Sequence, residues 1–158
     1  AWRIFTIAPI GRAAHRNDLQ LDGSQLVRLM DFIERERTNR RLDLKFSCEA
    51  FLGNYEGRVR DGLFFCRAGI NIASVLVNGD ISACPNIHRS FAQGNIYRDS
   101  FVEVWEKRFT DMRNRSWMKT GECCQCPAWT DCQGGAMHLR MPHHEGPCAC
   151  LYQRMRTD

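Results

Sequence analysis

The sequence lacks several features that would assign its class at once. No apolar run approaches the roughly 18 residues that a membrane-spanning helix needs, so we expect no membrane partner. No secretory signal peptide opens the chain, and the absence of internal repeats excludes a repeat architecture. The first residue is Ala1 and not an initiator Met, so we expect the chain to be part of a longer protein.

Lysine is also scarce: 19 Arg and only 3 Lys oppose 18 acidic residues and give the net charge of +4. The arginines are scattered, apart from the group Arg35, Arg37, Arg40 and Arg41. We interpret that group as a solvated helix end. An acidic partner or nucleic acid is the less favoured alternative, and we expect no nucleic-acid partner.

Cysteine, in contrast, is abundant, at nine of 158 residues. The odd count and the absence of a secretory pattern argue against a disulfide scaffold, which favours an even number in a secreted chain. We therefore expect reduced thiolates on a metal and a cytoplasmic protein. Three of the cysteines form Cys123-x2-Cys126-x5-Cys132, and Cys66 and Cys84 precede them. Thiolates at these spacings predict an iron–sulfur binding module.

The first third of the chain has the pattern strand, helix, strand. Residues 2–8 have strand character, Asp22 and Gln25 form a capping box, Asn39 ends the helix, and residues 42–48 alternate apolar and polar side chains. The helical face carries Leu26, Leu29, Met30 and Ile33. Such a βαβ unit implies parallel strands, and it is typical of the closing portion of a larger α/β barrel.

The rest of the chain contains a hairpin and one helix. Residues 54–62 are polar and glycine-bearing, which predicts a linker. Residues 70–77 and 81–84 then flank Asn78-Gly79, a strong hairpin pattern in which Gly79 supplies the positive φ. A second capping box and helical periodicity predict one helix to about residue 115, before a stretch rich in Cys, Gly and Pro. The capping box is Ser100 with Glu103, and the apolar face comprises Phe101, Val104, Trp105, Phe109 and Met112.

Together these features resemble the SPASM domain of radical SAM enzymes over about residues 60–155. The stretches Gly94-Asn95-Ile96 and Ser100-Phe101-x-Glu103-x-Trp105, and the pair Gly134-Gly135, also resemble that domain. The resemblance implies an α+β chain in two parts. Residues 1–53 are expected to be the last strands and helix of a partial radical SAM barrel, and residues 60–158 a SPASM auxiliary-cluster domain.

The start of the chain extends the resemblance. Arg3-Ile4-Phe5-x-Ile7-x-Pro9-x-Gly11 is similar to the sixth strand of a radical SAM barrel. The resemblance implies that Ile7 and Ala8 lie at the edge that contacts the adenine of S-adenosylmethionine (SAM). An ordinary buried strand is the alternative interpretation.

The sequence departs from the family pattern at three places. The Cys-x3-Cys-x2-Cys motif of the SAM-cleaving cluster is absent from this chain. Position 136 is Ala, where the family pattern has a cysteine that reaches back to the first auxiliary cluster. The terminal region offers Cys148 and Cys150, where the family pattern has one cysteine.

Two ligand sets follow from the resemblance. In the first, Cys123, Cys126, Cys132 and Cys150 hold one 4Fe–4S cluster, while Cys66 and Cys84 begin a second site that is short of thiolates. In the second, similar to the shorter twitch relatives, a single cluster takes Cys66, Cys84, Cys123 and Cys126. We favour the first. The weaker ligand or site candidates are Cys48, Cys124, His138, His143 and His144.

The resemblance implies the C-terminal part of an enzyme that modifies a peptide or small protein. This part carries one or two auxiliary clusters for electron transfer or substrate anchoring. The expected partners are the substrate, a reductant protein such as a flavodoxin or ferredoxin, and the N-terminal remainder of the barrel with its SAM. A structural zinc module on four cysteines, binding a protein or nucleic acid, is the alternative from a different class.

Overall fold

The computed structural model describes residues 1–40, 42–47, 49–142 and 144–156. It divides into two compact units, one of Ala1–Phe65 with the segment from Cys148 onward, and one of Cys66–Pro147. The strands are β1 (Trp2–Ile4), β2 (Leu44–Phe46), β3 (Ser74–Val75), β4 (Asp80–Ser82) and β5 (Gly94–Asn95). The α-helices are α1 (Gly23–Thr38), α2 (Phe101–Lys107), α3 (Thr110–Arg113), α4 (Trp129–Cys132) and α5 (Leu151–Arg154). The chain is thus of the α+β class, as predicted.

In the first unit, β1 and β2 pair in parallel with α1 between them in sequence, which confirms the predicted strand–helix–strand order. The capping box is confirmed, since the Asp22 carboxylate accepts from the Gln25 backbone N–H at 2.7 Å and the Gln25 Oε1 accepts from the Asp22 backbone N–H at 2.9 Å. Asn39 is the C-cap residue, as predicted. The apolar core of this unit comprises Leu26, Met30, Ile33, Leu44, Phe46, Ala50, Leu52, Val59 and Leu151.

Three sequence predictions for this unit need correction. The first strand ends at Ile4 and not at residue 8, because Thr6 donates its backbone N–H to the Glu49 carboxylate at 2.8 Å and leaves the ladder. The second strand is limited to Leu44–Phe46. The predicted linker at 54–62 belongs to the core: Val59 is fully buried, and its carbonyl accepts from the Phe46 N–H at 2.8 Å.

The second unit is built on an antiparallel sheet in the order β3-β4-β5. The predicted hairpin is confirmed, and Gly79 has φ of +86°. Leu76 accepts from the Gly79 N–H and donates to the Asp80 carbonyl, both at 2.8 Å, so a three-residue loop joins the strands. The core of this unit comprises Ala68, Ile81, Ala83, Ile87, Val104, Phe109, Met112, Met118 and Met137.

The single predicted helix to residue 115 is wrong, because the chain forms α2 and then α3. The break between them lets Phe109 and Met112 pack against the backbone at Gly69, where an added Cβ would lie 2.3 Å from the Met112 Cβ. The predicted second capping box is also not formed. The Ser100 side chain makes no cap bond, and the Glu103 carboxylate pairs with Lys107 at 3.1 Å instead.

Short 3-10 turns complete both units. They lie at Gly11–Ala13, Asn17–Leu19, Gly53–Tyr55, Arg89–Phe91, Ser116–Met118, Gly121–Cys123 and Met137–Leu139. Among the described helices, none has both the length and the apolar character needed to cross a membrane.

Candidate functional site

The hairpin of the second unit separates Cys66 from Cys84. Both are half-buried and pack against the apolar core of that unit. The Cys84 carbonyl accepts from the Ser82 hydroxyl at 3.1 Å, just past the end of β4. This bond holds the backbone that follows the hairpin, and the approach of Cys84 to Cys66 stays a prediction.

The three cysteines of the later motif each lie at the end or start of a short turn. Cys123 ends the turn Gly121–Cys123 and is 8% exposed, whereas the adjacent Cys124 is exposed. Cys126 donates its N–H to the Cys123 carbonyl at 3.4 Å, and Cys132 ends α4. Cys66, Cys84, Cys123 and Cys124 are thiols that form no disulfide.

The segment after Cys132 reverses direction through three residues with positive φ: Gln133 at +46°, Gly134 at +83° and Gly135 at +73°. Glycine adopts this region without the steric cost that a Cβ adds, which explains the Gly134-Gly135 pair in physical terms. The Gly134 backbone also lies close to Met118, since an added Cβ would meet the Met118 Cε at 2.7 Å. The reversal returns the chain to the core at Met137.

Arg140 follows this reversal and is only 3% exposed. Its Nε and Nη2 donate to the Gly134 carbonyl at 3.2 and 2.8 Å, and its Nη1 donates to the Met118 carbonyl at 3.2 Å. Nη2 also lies 3.2 Å from the Cys123 Sγ, to which it donates. One guanidinium thus connects the Gly134 turn to a predicted ligand sulfur.

Arg115 is a second buried guanidinium, 5% exposed. Its Nε donates to the Met112 carbonyl at 3.1 Å, and its Nη2 donates to the Cys66 carbonyl. Burial lowers the pKa of Arg115, and the negative charge of a Cys66 or Cys132 thiolate opposes that shift. Arg115 therefore contacts the Cys66 backbone and is also sensitive to the charge of Cys132, which lies 66 positions later in the sequence.

Arg115 and Arg140 were missed by the sequence reasoning. Both stand in the cysteine-rich half of the chain, and each follows a methionine of the core by three residues. Their closeness in sequence to core methionines was the available indication that they are buried, but Arg residues near apolar positions are usually solvated. Only the tertiary packing distinguishes these two arginines from the others.

The remaining predicted site residues lie as follows. Ala136 is buried at 1% exposure and has no sulfur to offer. Cys148 and Cys150 are half-buried in the first unit. Ile7 lies beyond the end of β1 and is 48% exposed, and Ala8 is half-buried; their predicted contact with SAM stays a prediction.

Two of the weaker candidates, Cys48 and His143, lie outside the described residues. His144 is exposed. Burial lowers the pKa of His138, which favours its neutral imidazole. The neutral form is the one that binds metals, so burial is compatible with His138 as an additional ligand.

The donor chemistry of the second unit fits an iron–sulfur group. Its candidate ligands are thiols on short, core-anchored turns, and buried guanidinium groups lie beside them. Within the described ranges, no three Cys, His, Asp or Glu side chains are already gathered as a metal cage. The predicted ligand sets therefore stay predictions.

Comparison with protein families gives a match in the cysteine-rich part of the chain. The model of the SPASM family, an iron–sulfur cluster-binding domain, matches residues 66–127. No curated protein and no solved structure matches the chain. The match includes Cys66, Cys84, Cys123 and Cys126, whereas Cys132, Arg140 and Cys150 lie beyond it. It confirms the resemblance of residues 66–127 to the SPASM domain, a domain that binds iron–sulfur clusters.

Proposed function

We propose that this chain is the auxiliary-cluster part of a radical SAM enzyme that modifies a peptide or small protein. The observation that carries the proposal is the SPASM match over residues 66–127, which includes the hairpin cysteines and the Cys-x2-Cys pair. Clusters in such domains transfer electrons or anchor the substrate. Thiolate ligation, hydrogen bonding to the sulfurs and burial set the reduction potential of such clusters.

In the proposed arrangement, Cys123, Cys126 and Cys132 hold one 4Fe–4S cluster, with Cys150 as the fourth ligand. Cys66 and Cys84 begin a second site. A bound cluster supplies one-electron redox chemistry. Turns hold the backbone of the ligand residues: the Cys126 N–H donates to the Cys123 carbonyl at 3.4 Å. The fold also buries Cys123 away from water. Because position 136 is a buried Ala, the site of Cys66 and Cys84 needs another ligand to be complete.

The remaining parts of the reaction belong to other segments and partners in this proposal. The N-terminal remainder of the barrel supplies the SAM-cleaving cluster, and Ile7 and Ala8 form one edge of the adenine site. The exposed apolar side chains Trp2 and Phe5, each 63% exposed, form the surface against which that remainder packs. A cytoplasmic flavodoxin or ferredoxin delivers the electrons.

Iron and sulfide analysis of anaerobically prepared protein tests the proposal. We expect a brown protein with broad absorbance near ~400 nm and about four iron per chain for one cluster, or about eight for two. Equal amounts of acid-labile sulfide are expected. A colourless protein that holds zinc without sulfide contradicts the proposal and supports a structural zinc module.

A further inference from the structure

Arg140 is a buried cation with an unusual set of partners. Its guanidinium makes four hydrogen bonds, three to the carbonyls of Gly134 and Met118 and one to the Cys123 sulfur. Among the described residues, no carboxylate lies within ion-pair distance of it. The family match ends before Arg140, so the family comparison assigns it no role.

A buried guanidinium without a carboxylate needs negative charge from another source. Removing a cation from water is unfavourable, and carbonyl dipoles offset only part of that cost. The remaining contact is the Cys123 Sγ at 3.2 Å. A neutral thiol is a weak acceptor, whereas a thiolate or a cluster-bound sulfur is anionic and makes a charge-assisted bond.

We propose that Arg140 is a positioning residue for the auxiliary cluster: it holds the Cys123 sulfur in place and stabilises the reduced, more negative form of the cluster. This inference rests on the proposed function, because it requires a cluster on Cys123. Hydrogen bonds to ligand sulfurs and local charge are both known to set cluster potentials. A fixed cation beside the sulfur raises the potential.

The planar fork of arginine is essential to this role. Nε and Nη2 donate to the Gly134 carbonyl, and Nη1 donates to the Met118 carbonyl. These three bonds fix the plane of the guanidinium, and so the second N–H of Nη2 points toward the Cys123 sulfur. Lysine retains the charge but has a single flexible ammonium, and it does not reproduce this fork. The side chain thus supplies a charge and a geometry that substitutions can separate.

Arg113 offers a matched control in the same unit. Its guanidinium donates to the carbonyls of Gly69 and Glu106, each at 3.1 Å, and stacks over the Trp105 ring at 5.0 Å. It resembles Arg140 in binding backbone carbonyls, but its described contacts include no sulfur. Arg113 is exposed, so its loss reports the effect of removing an arginine that binds carbonyls but no sulfur, and Arg140→Lys adds a control at the buried position itself.

The experiment is an anaerobic redox titration of the reconstituted 158-residue chain and of the variants Arg140→Gln, Arg140→Lys and Arg113→Gln. The titration step that disappears in Cys126→Ala identifies the relevant cluster. We expect Arg140→Gln to lower its equilibrium constant for reduction about tenfold, a shift of about 59 mV to more negative potential. We expect a smaller shift in Arg140→Lys, and the wild-type potential in Arg113→Gln.

The outcomes are distinguishable. A wild-type potential in iron-replete Arg140→Gln, or an equal shift in Arg113→Gln, overturns the inference. If Arg140→Gln retains no cluster, the rate of iron loss to a chelator is compared instead. There we expect Arg140→Lys to lose iron several-fold faster than Arg113→Lys, and equal rates overturn the inference. A wild-type chain without any iron–sulfur cluster contradicts the proposed function itself.

Discussion

Cys123 and Cys124 are chemically identical neighbours in opposite environments. Cys123 is 8% exposed and accepts a hydrogen bond from Arg140, while Cys124 is exposed to solvent. Burial beside a guanidinium suits a sulfur that carries negative charge, whereas the exposed sulfur has no such stabilisation. The pair therefore provides a ligand candidate and its own control one residue apart.

We expect Cys123→Ala, Cys126→Ala and Cys132→Ala each to lower bound iron markedly and to destabilise the cysteine-rich segment. Metal binding contributes folding free energy where a segment has little apolar core of its own. Iron per chain and thermal melting under anaerobic conditions are the measurements. Cys124→Ala should retain wild-type iron. Unchanged iron in all three ligand variants rejects the assignment.

Gly134 supports the site through its backbone. At φ of +83°, a side chain is strained, and a Cβ would also lie 2.7 Å from the Met118 Cε and 3.2 Å from the Arg140 Nη2. Gly146 has a similar φ of +81°, but the nearest atom to its Cβ position is 3.6 Å away. The two glycines thus separate backbone strain from steric crowding.

We expect Gly134→Ala to cost more stability than Gly146→Ala, by about 1 kcal/mol or more, because overpacking adds to the backbone strain. Denaturant unfolding of both variants measures the difference. Gly134→Ala should also weaken iron retention, because the Arg140 Nη2 must move. Equal costs in the two variants contradict this account of the turn.

Among the elements, α1 and β2 are connected by ionic contacts to Asp61. Arg37, in the last turn of α1, donates to the Asp61 carboxylate at 2.8 Å, and Lys45 of β2 lies 2.7 Å from it. These two contacts, with Lys45 the larger cause, lower the pKa of Asp61 to about 2. The carboxylate is exposed, so solvent screens both contacts and their contribution to stability is small.

We expect NMR titration to give an Asp61 carboxyl midpoint of about 2, and Lys45→Gln to raise it more than Arg37→Gln does. Because the folded pKa is depressed, the stabilisation is present above the ordinary value of 3.8 and is lost as the pH falls through about 2. As the pH falls between these two values, the free energy of unfolding should therefore decrease more in the wild type than in Lys45→Gln. An ordinary midpoint in the wild type contradicts these contacts.

At the scale of the whole molecule, the match to a cluster-binding domain stands in a sequence that lacks the motif for SAM cleavage. Its cysteines provide no Cys-x3-Cys-x2-Cys spacing; Cys123, Cys124 and Cys126 are too close together in sequence to imitate it. A cluster held by four thiolates has no iron free to bind SAM. In the proposed arrangement, the site of Cys66 and Cys84 is the place where an open iron can arise, because position 136 is Ala.

We expect the reconstituted chain to be inactive toward SAM on its own. Incubation with SAM and dithionite, followed by assay of 5′-deoxyadenosine, is the measurement, with cluster-free protein as the control. Formation of product well above that control contradicts this expectation. Its loss in Cys84→Ala would then assign the activity to the incomplete site.

Local sequence patterns determined the elements whose stabilising contacts are close in the chain. The Asp22–Gln25 capping box, the apolar face of α1 and the Asn78-Gly79 turn all depend on neighbours a few residues away, and the structure has them as predicted. The cysteine spacing likewise indicated the SPASM domain, and the family match over 66–127 confirms it. The ligand set itself stays a prediction.

Tertiary structure alone decided the features that depend on distant partners. The helix break before Phe109 follows from packing against Gly69, and β1 ends early because Glu49 takes the Thr6 N–H. The placement of Arg140 against Cys123 also joins residues that no local period connects. Local propensities act within a turn or two, whereas burial of a guanidinium beside a sulfur is set by the packing of the whole unit.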